Sequence, residues 1–227
     1  MAKKQKGTPR TTLEEVNESL STAAQRIEAN KKYIYYALIA IAAIVLLVMG
    51  YIYGIRNPNL QKAKDGIGKA DMTYMQGDTT NALKEYEKVF DSYSNKPAER
   101  AAFNSAIILY QQGKNKEAAQ YLEKYESNGK MVGPASQSLL GDCYVNMKQY
   151  DKAIVCYDKA VKLSNENVFF TPTFMIKKAN VLHAQGKYSD EAAIYQNIKD
   201  NYMQYTQAYQ FNVDKYLERA KALSEKK

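Results

Sequence analysis

His183 is the only histidine of the chain, and Cys143 and Cys156 are its only cysteines. A lone histidine cannot complete a two-histidine metal site, and any histidine-activated nucleophile would have to be built around this one residue. Two cysteines supply neither a four-thiolate site nor a disulfide framework, and their thirteen-residue spacing matches no redox motif. Two readings of the pair stay open: small buried apolar side chains, or a single disulfide in an extracytoplasmic domain. There is no phosphate-binding glycine loop and no zinc-protease histidine pair. Asp65-Gly66-Ile67-Gly68 is too short for a dinucleotide fingerprint, so its glycines are expected to let helices pack closely. The residues thus point to a protein that is not an enzyme and holds no metal or cofactor.

The most distinctive element is instead Tyr33 to Gly54, 22 residues without a charge. At about 1.5 Å per residue such a helix covers roughly 33 Å, enough for the hydrocarbon core of a bilayer at about 30 Å. Lys31, Lys32, Tyr33, Tyr35 and Tyr36 flank one end and Tyr51, Tyr53 and Arg56 the other, as interfacial anchors do. A transmembrane helix is predicted over 33–55. Within it Ala42, Gly50 and Gly54 are spaced by multiples of four, and Gly50 and Gly54 form a small-xxx-small pair suited to contact with another transmembrane helix.

The net charge of +8 is spread out: residues 1–32 hold seven Lys/Arg against four Glu, and residues 57–227 hold 24 against 20 acidic residues. No basic stripe marks the larger part, so no nucleic-acid partner is expected. Residues 1–11 read as a basic flexible tail. Residues 12–32 read as an amphipathic helix, opened by a capping box at Thr12-Leu13-Glu14-Glu15 and running without a break into the span. Lys/Arg bias before the span favours a cytoplasmic N-terminus. The apolar run is too long and starts too late for a cleaved signal peptide.

Residues 57–227 carry an internal period. Leu140-Gly141 is followed by Tyr144, then Tyr150-Asp151-Lys152-Ala153, Tyr157 and Ala160. This run closely resembles a tetratricopeptide repeat, in which Gly141 and Ala153 sit where two antiparallel helices approach and Tyr144, Tyr157 and Ala160 fill the space to the neighbouring pair. Gly77 with Ala82 and Tyr86, Gly113 with Ala118 and Leu122, and Gly186 with Tyr195 follow the same register, each glycine a left-handed helix C-cap. Glu191 stands where the fourth copy should have alanine. Repeats are placed near 63–97, 99–133, 134–171 and 172–204, with an insertion over 164–171 and a cap over 205–225 whose helix is expected from Gln207 to Ser224. Asn57-Pro58 looks like the start of the first repeat helix, as N-cap and first-turn proline. The fold class is therefore all-α: one N-terminal transmembrane helix, then an α-solenoid of about four tetratricopeptide-like repeats and a capping helix.

The resemblance implies a concave protein-binding groove made by the first helices. Carried onto this chain, it points to Tyr74, Phe103, Ile107, Tyr110, Val145, Asn146, Asn180 and His183, a surface suited to peptide-like or unfolded segments; Phe103 and Ile107 read equally well as inter-repeat core. Asp71, Ile107 and Asp142 occupy positions where the carboxylate clamp of chaperone adaptors needs basic and amide groups. The whole arrangement is similar to the bitopic ancillary subunit of the bacterial SecYEG translocon. That family implies an inner-membrane protein with a periplasmic repeat domain, acting as a scaffold or chaperone with SecYEG and a membrane-anchored periplasmic folding factor. The alternative is a cytoplasm-facing, membrane-tethered adaptor for another complex.

Overall fold

The computed structural model describes residues 12–124 and 132–226, and helix is the regular structure found among them. The chain divides into two units, residues 1–58 and 59–227.

The first unit holds α1 (Thr12–Ala29) and α2 (Lys31–Tyr51), followed by a π-helical turn over Ile52–Arg56. The predicted unbroken leader is interrupted at Asn30, at φ −106° and ψ 12°. Its side-chain amide donates to the Arg26 carbonyl at 2.9 Å, a local bond that competes with the helix ladder. The side chains of the proposed capping box lie outside the described residues. The helical run that contains α2 is long and apolar enough to cross a membrane, and none of its apolar window is buried. A Cβ added at Gly50 or Gly54 would meet nothing within 4 Å, and Gly54 lies inside the π-turn, where the backbone is underwound relative to an α-helix.

Asn57-Pro58 does not open a helix. The backbone stays helical from Lys31 to Met75, and α3 (Asn57–Met75) follows the π-turn directly. Pro58 lacks an N–H and its ring crowds the carbonyl four residues back. The wider π-turn that precedes it accommodates that carbonyl without ending the helix.

In the second unit, α3 and α4 (Thr79–Ser92), α5 (Lys96–Gln111) and α6 (Asn115–Lys124), α7 (Val132–Asn146) and α8 (Tyr150–Leu163), and α9 (Phe170–Ala184) and α10 (Tyr188–Asn201) follow as four helix pairs. The turn inside each pair is built the same way. Gly77, Gly113, Lys148 and Gly186 adopt φ of 86°, 77°, 59° and 69°. The next residue then donates its amide five residues back: Asp78 to Thr73 at 3.2 Å, Lys114 to Leu109 at 2.9 Å, Gln149 to Tyr144 at 2.8 Å and Lys187 to Leu182 at 2.9 Å. This is the Schellman closure that glycine favours, and the third pair makes it with lysine. Asp78 and Asn95 then cap α4 and α5, accepting from the amides of Asn81 and Ala98.

Bare glycines set the spacing inside the first and third pairs. A Cβ on Gly141 would lie 2.6 Å from the Tyr157 ring, and one on Gly66 2.6 Å from Val89 Cγ2. Gly68, also read as a packing glycine, would meet nothing within 4 Å, so the close approach belongs to Gly66 alone of that pair. Between pairs, α4 packs on α5, α6 on α7 and α8 on α9. Three buried clusters run through the stack, with Tyr86, Tyr157 and Tyr195 among their largest fully buried side chains. Cys143 and Cys156 are both buried and unbonded, which is the apolar reading of the pair.

The end of the chain differs from expectation. The single helix from Gln207 is instead a short α11 (Met203–Ala208), a turn with Gln210 at φ 49°, and α12 (Val213–Ser224). Phe211 donates its amide to the Thr206 carbonyl at 2.9 Å, a further closure of the same type, and Asn212 caps α12 through Lys215. α12 packs on α10, the place a further first helix would take. Before α9, Asn165 and Glu166 turn the chain at positive φ, and Asn167 accepts from the amides of Phe169 and Phe170 at 3.0 Å, which starts α9 at Phe170.

Candidate functional site

The first helices of the pairs present one acidic or amide position to the second helix of the same pair. Asp71 accepts from the Tyr86 hydroxyl at 2.5 Å, Asp142 from Tyr157 at 2.7 Å and Asn180 from Tyr195 at 3.5 Å. In the second pair the two positions are Ile107 and Leu122, an apolar substitution on both sides. A buried tyrosine hydroxyl needs a partner and a leucine does not, so the two positions change together. Burial, with Asp71 and Asp142 alongside, pushes the Tyr86 and Tyr157 phenols well above their ordinary range. Each acid also takes a cation from a later first helix: Arg100 meets Asp71, and Lys177 Nζ lies 2.5 Å from Asp142. Asp71 and Asp142 are thus occupied by the protein itself.

Where the second-helix tyrosine of the first pair meets the apolar first helix of the second, a cavity of about 310 Å³ opens. Asp71, Tyr74, Met75, Tyr86, Asn104 and Ile107 are among its lining residues. Tyr74 reaches across to Gln111 Oε1 at 3.4 Å, and Met75 is 85% exposed. The wall is mostly apolar with a few polar groups, the chemistry that holds one apolar side chain of an extended or helical segment.

Of the eight groove residues expected from the repeat pattern, the cavity brings together Tyr74 and Ile107. Phe103, Tyr110 and Val145 are half-buried and pack against the central cluster. Asn146 is exposed and donates to Asn115 Oδ1 at 2.9 Å; Asn180 is exposed and engaged by Tyr195. His183 does not stand free in the groove: its Nδ1 lies 2.8 Å from Glu191 Oε2. Glu191 is 0% exposed, and its other oxygen accepts from Arg219 of α12 at 2.6 Å. The carboxylate that departs from the repeat pattern is therefore the anchor of a three-residue network joining α9, α10 and α12. Tyr86 and Asn104 line the cavity but were not foreseen, since Tyr86 sits on a second helix and repeat position alone marks it as filler. Among the described residues, no group of three or more His, Cys, Asp or Glu is placed to hold a metal ion.

Comparison with known proteins gives the same class. The family model of anaphase-promoting complex (cyclosome) subunit 3 matches residues 75–160. A crystal structure of MamA protein superposes with a TM-score of 0.53 at 18% identity over 72% of this chain and 92% of that one. MamA of Desulfovibrio magneticus RS-1 gives a TM-score of 0.51 at 18% identity over 64% of this chain and 76% of that one. PilF of Pseudomonas aeruginosa gives 0.50 at 17% identity over 79% and 87%. None of the curated protein sequences matches the chain. The second unit is a tetratricopeptide-like α-solenoid.

Proposed function

We propose that this protein is a non-enzymatic, membrane-anchored scaffold that holds peptide-like segments in its groove. The segment over 33–55 is the anchor, with Ala42, Gly50 and Gly54 as its helix-contact stripe, and the repeat domain over 57–227 is the working part. The observation that carries this reading is the apolar cavity between the first two helix pairs, on a chain whose apolar N-terminal helix has no buried face of its own. On its architecture, the protein acts as an accessory subunit of the Sec translocon in a bacterial inner membrane. The N-terminus is cytoplasmic and the repeats periplasmic, beside SecYEG and a membrane-anchored folding factor.

The test is a photo-crosslinking residue at Ile107 in the full chain, with a control at the exposed Val155, combined with reporter fusions at the C-terminus. Crosslinks from position 107 to translocon subunits or exported chains, absent from position 155, are expected together with a periplasmic C-terminus. A cytoplasmic C-terminus, or identical crosslinks from both positions, refutes the proposal.

A further inference from the structure

The outer face of α3 is unlike the same face of the later first helices. Where the second, third and fourth pairs place Ala98, Gly133 and Thr171, all buried against a preceding helix, the first pair has Lys62. Where the second and third place the buried Ser105 and Leu140, the first has Lys69. The stack begins here, so this face stays open. A polar cap explains why it is hydrophilic, and its cations outnumber its acids: Lys62, Lys69 and Lys88 stand against Asp65 and Glu85.

Between α3 and α4 this face forms a pocket of about 220 Å³. Lys62, Lys69 and Lys88 line it, with Ser92 and Tyr93 as further polar groups and Glu85 as the one carboxylate in the lining. That carboxylate is already engaged, by Lys69 Nζ at 2.8 Å and by the Thr73 hydroxyl at 2.8 Å, and these contacts hold its pKa below the ordinary range. Asp65 on the same helix accepts from Gln61 at 2.9 Å. Lys62 and Lys88 have no ion pair among the described residues. The pocket therefore carries two lysines outside any ion pair, together with hydroxyl donors, the chemistry that recognises a phosphate.

We infer that this pocket binds the phosphate of an anionic lipid headgroup. The inference rests on the reading of the apolar helix as a membrane span. Lys62 is only eight residues beyond Gly54 in the chain, within the juxtamembrane stretch whose basic residues an anionic lipid surface attracts.

The full chain is reconstituted into nanodiscs of phosphatidylcholine, with or without phosphatidylglycerol, and into phosphatidylcholine nanodiscs with added inorganic phosphate. Amine-labelling rates at Lys62, Lys69 and Lys88 are read by mass spectrometry against Lys116 and Lys226. Phosphatidylglycerol is expected to slow labelling of the three pocket lysines roughly fivefold, the factor due to one lysine at an anionic surface. High salt should reverse the effect, and Lys62→Gln with Lys88→Gln should abolish it at Lys69. Equal slowing by inorganic phosphate alone overturns the lipid assignment in favour of a free anion. No slowing in an inserted chain overturns the pocket itself. A chain that does not insert into nanodiscs at all refutes the membrane reading instead, so the two failures are distinguishable.

Discussion

Asp142 accepts a hydrogen bond from the Tyr157 hydroxyl at 2.7 Å, and the pair that replaces them one repeat earlier is Ile107 with Leu122. The bond therefore answers a local need created by the tyrosine. Removing one side should cost more than removing both. Tyr157→Phe is expected to destabilise by about 1 kcal/mol, and Asp142→Ile by more, because it strands a buried hydroxyl at about 1–3 kcal/mol. The double variant Asp142→Ile with Tyr157→Phe removes both partners and should be less destabilised than the sum of the single variants. Urea unfolding of the four proteins as a double-mutant cycle measures the difference; additive effects would show that the pair is not coupled.

Alkaline pH should weaken the fold through the same tyrosines. Burial first, and the neighbouring Asp142 carboxylate second, raise the folded-state pKa of Tyr157 above its unfolded value of about 10. A raised pKa means that the folded state holds the proton more tightly. Its stabilisation is fully present below about pH 10 and is lost as pH climbs from there toward the folded value. Stability measured by urea titration should be level up to that point and fall beyond it, and Tyr157→Phe should fall less steeply. An identical alkaline slope in the variant contradicts the assignment.

Glu191 should be costly to isolate and inexpensive to replace. It is fully buried between His183 and Arg219, so Arg219→Ala leaves a carboxylate short of its main cation; Arg219 itself is 41% exposed, so the expected cost is about 1–3 kcal/mol. Glu191→Ala with Arg219→Leu restores the small residue of the repeat pattern and should retain most of the stability. Denaturant midpoints decide this, and a double variant as unstable as Arg219→Ala would refute the account.

Lys148 occupies at φ 59° the place that glycine holds in the other three turns. A left-handed conformation costs an L-residue about 1–2 kcal/mol, so Lys148→Gly is expected to stabilise by about 1 kcal/mol once the glycine's greater freedom in the unfolded chain is counted. Gly113→Ala, at φ 77° with open space around its Cβ position, should lose a similar amount through strain alone. Thermal midpoints of the two variants should move in opposite directions.

The repeat period was legible because packing constrains it. Gly141 must be bare for the Tyr157 ring to lie against it, and the glycine turns must adopt positive φ, so both leave residue types at fixed spacing. The π-turn before Pro58 was not legible, because Asn57-Pro58 has the same letters at a helix start and within an unbroken helix. The turn over 209–212 was hidden for a similar reason: Gln210 adopts the left-handed conformation without being glycine.

From its amino-acid sequence alone, this protein is determined to be a helical repeat array with one apolar segment, since a period of packing residues and an uncharged run of 22 residues depend only on local order. Tertiary structure decided which groove residues are available. Asp71 and Asp142 are taken by tyrosines and cations and His183 by a buried glutamate, while Tyr74 and Ile107 meet at an open cavity. Those pairings join residues from different helices, and only the folded chain brings their atoms within bonding distance.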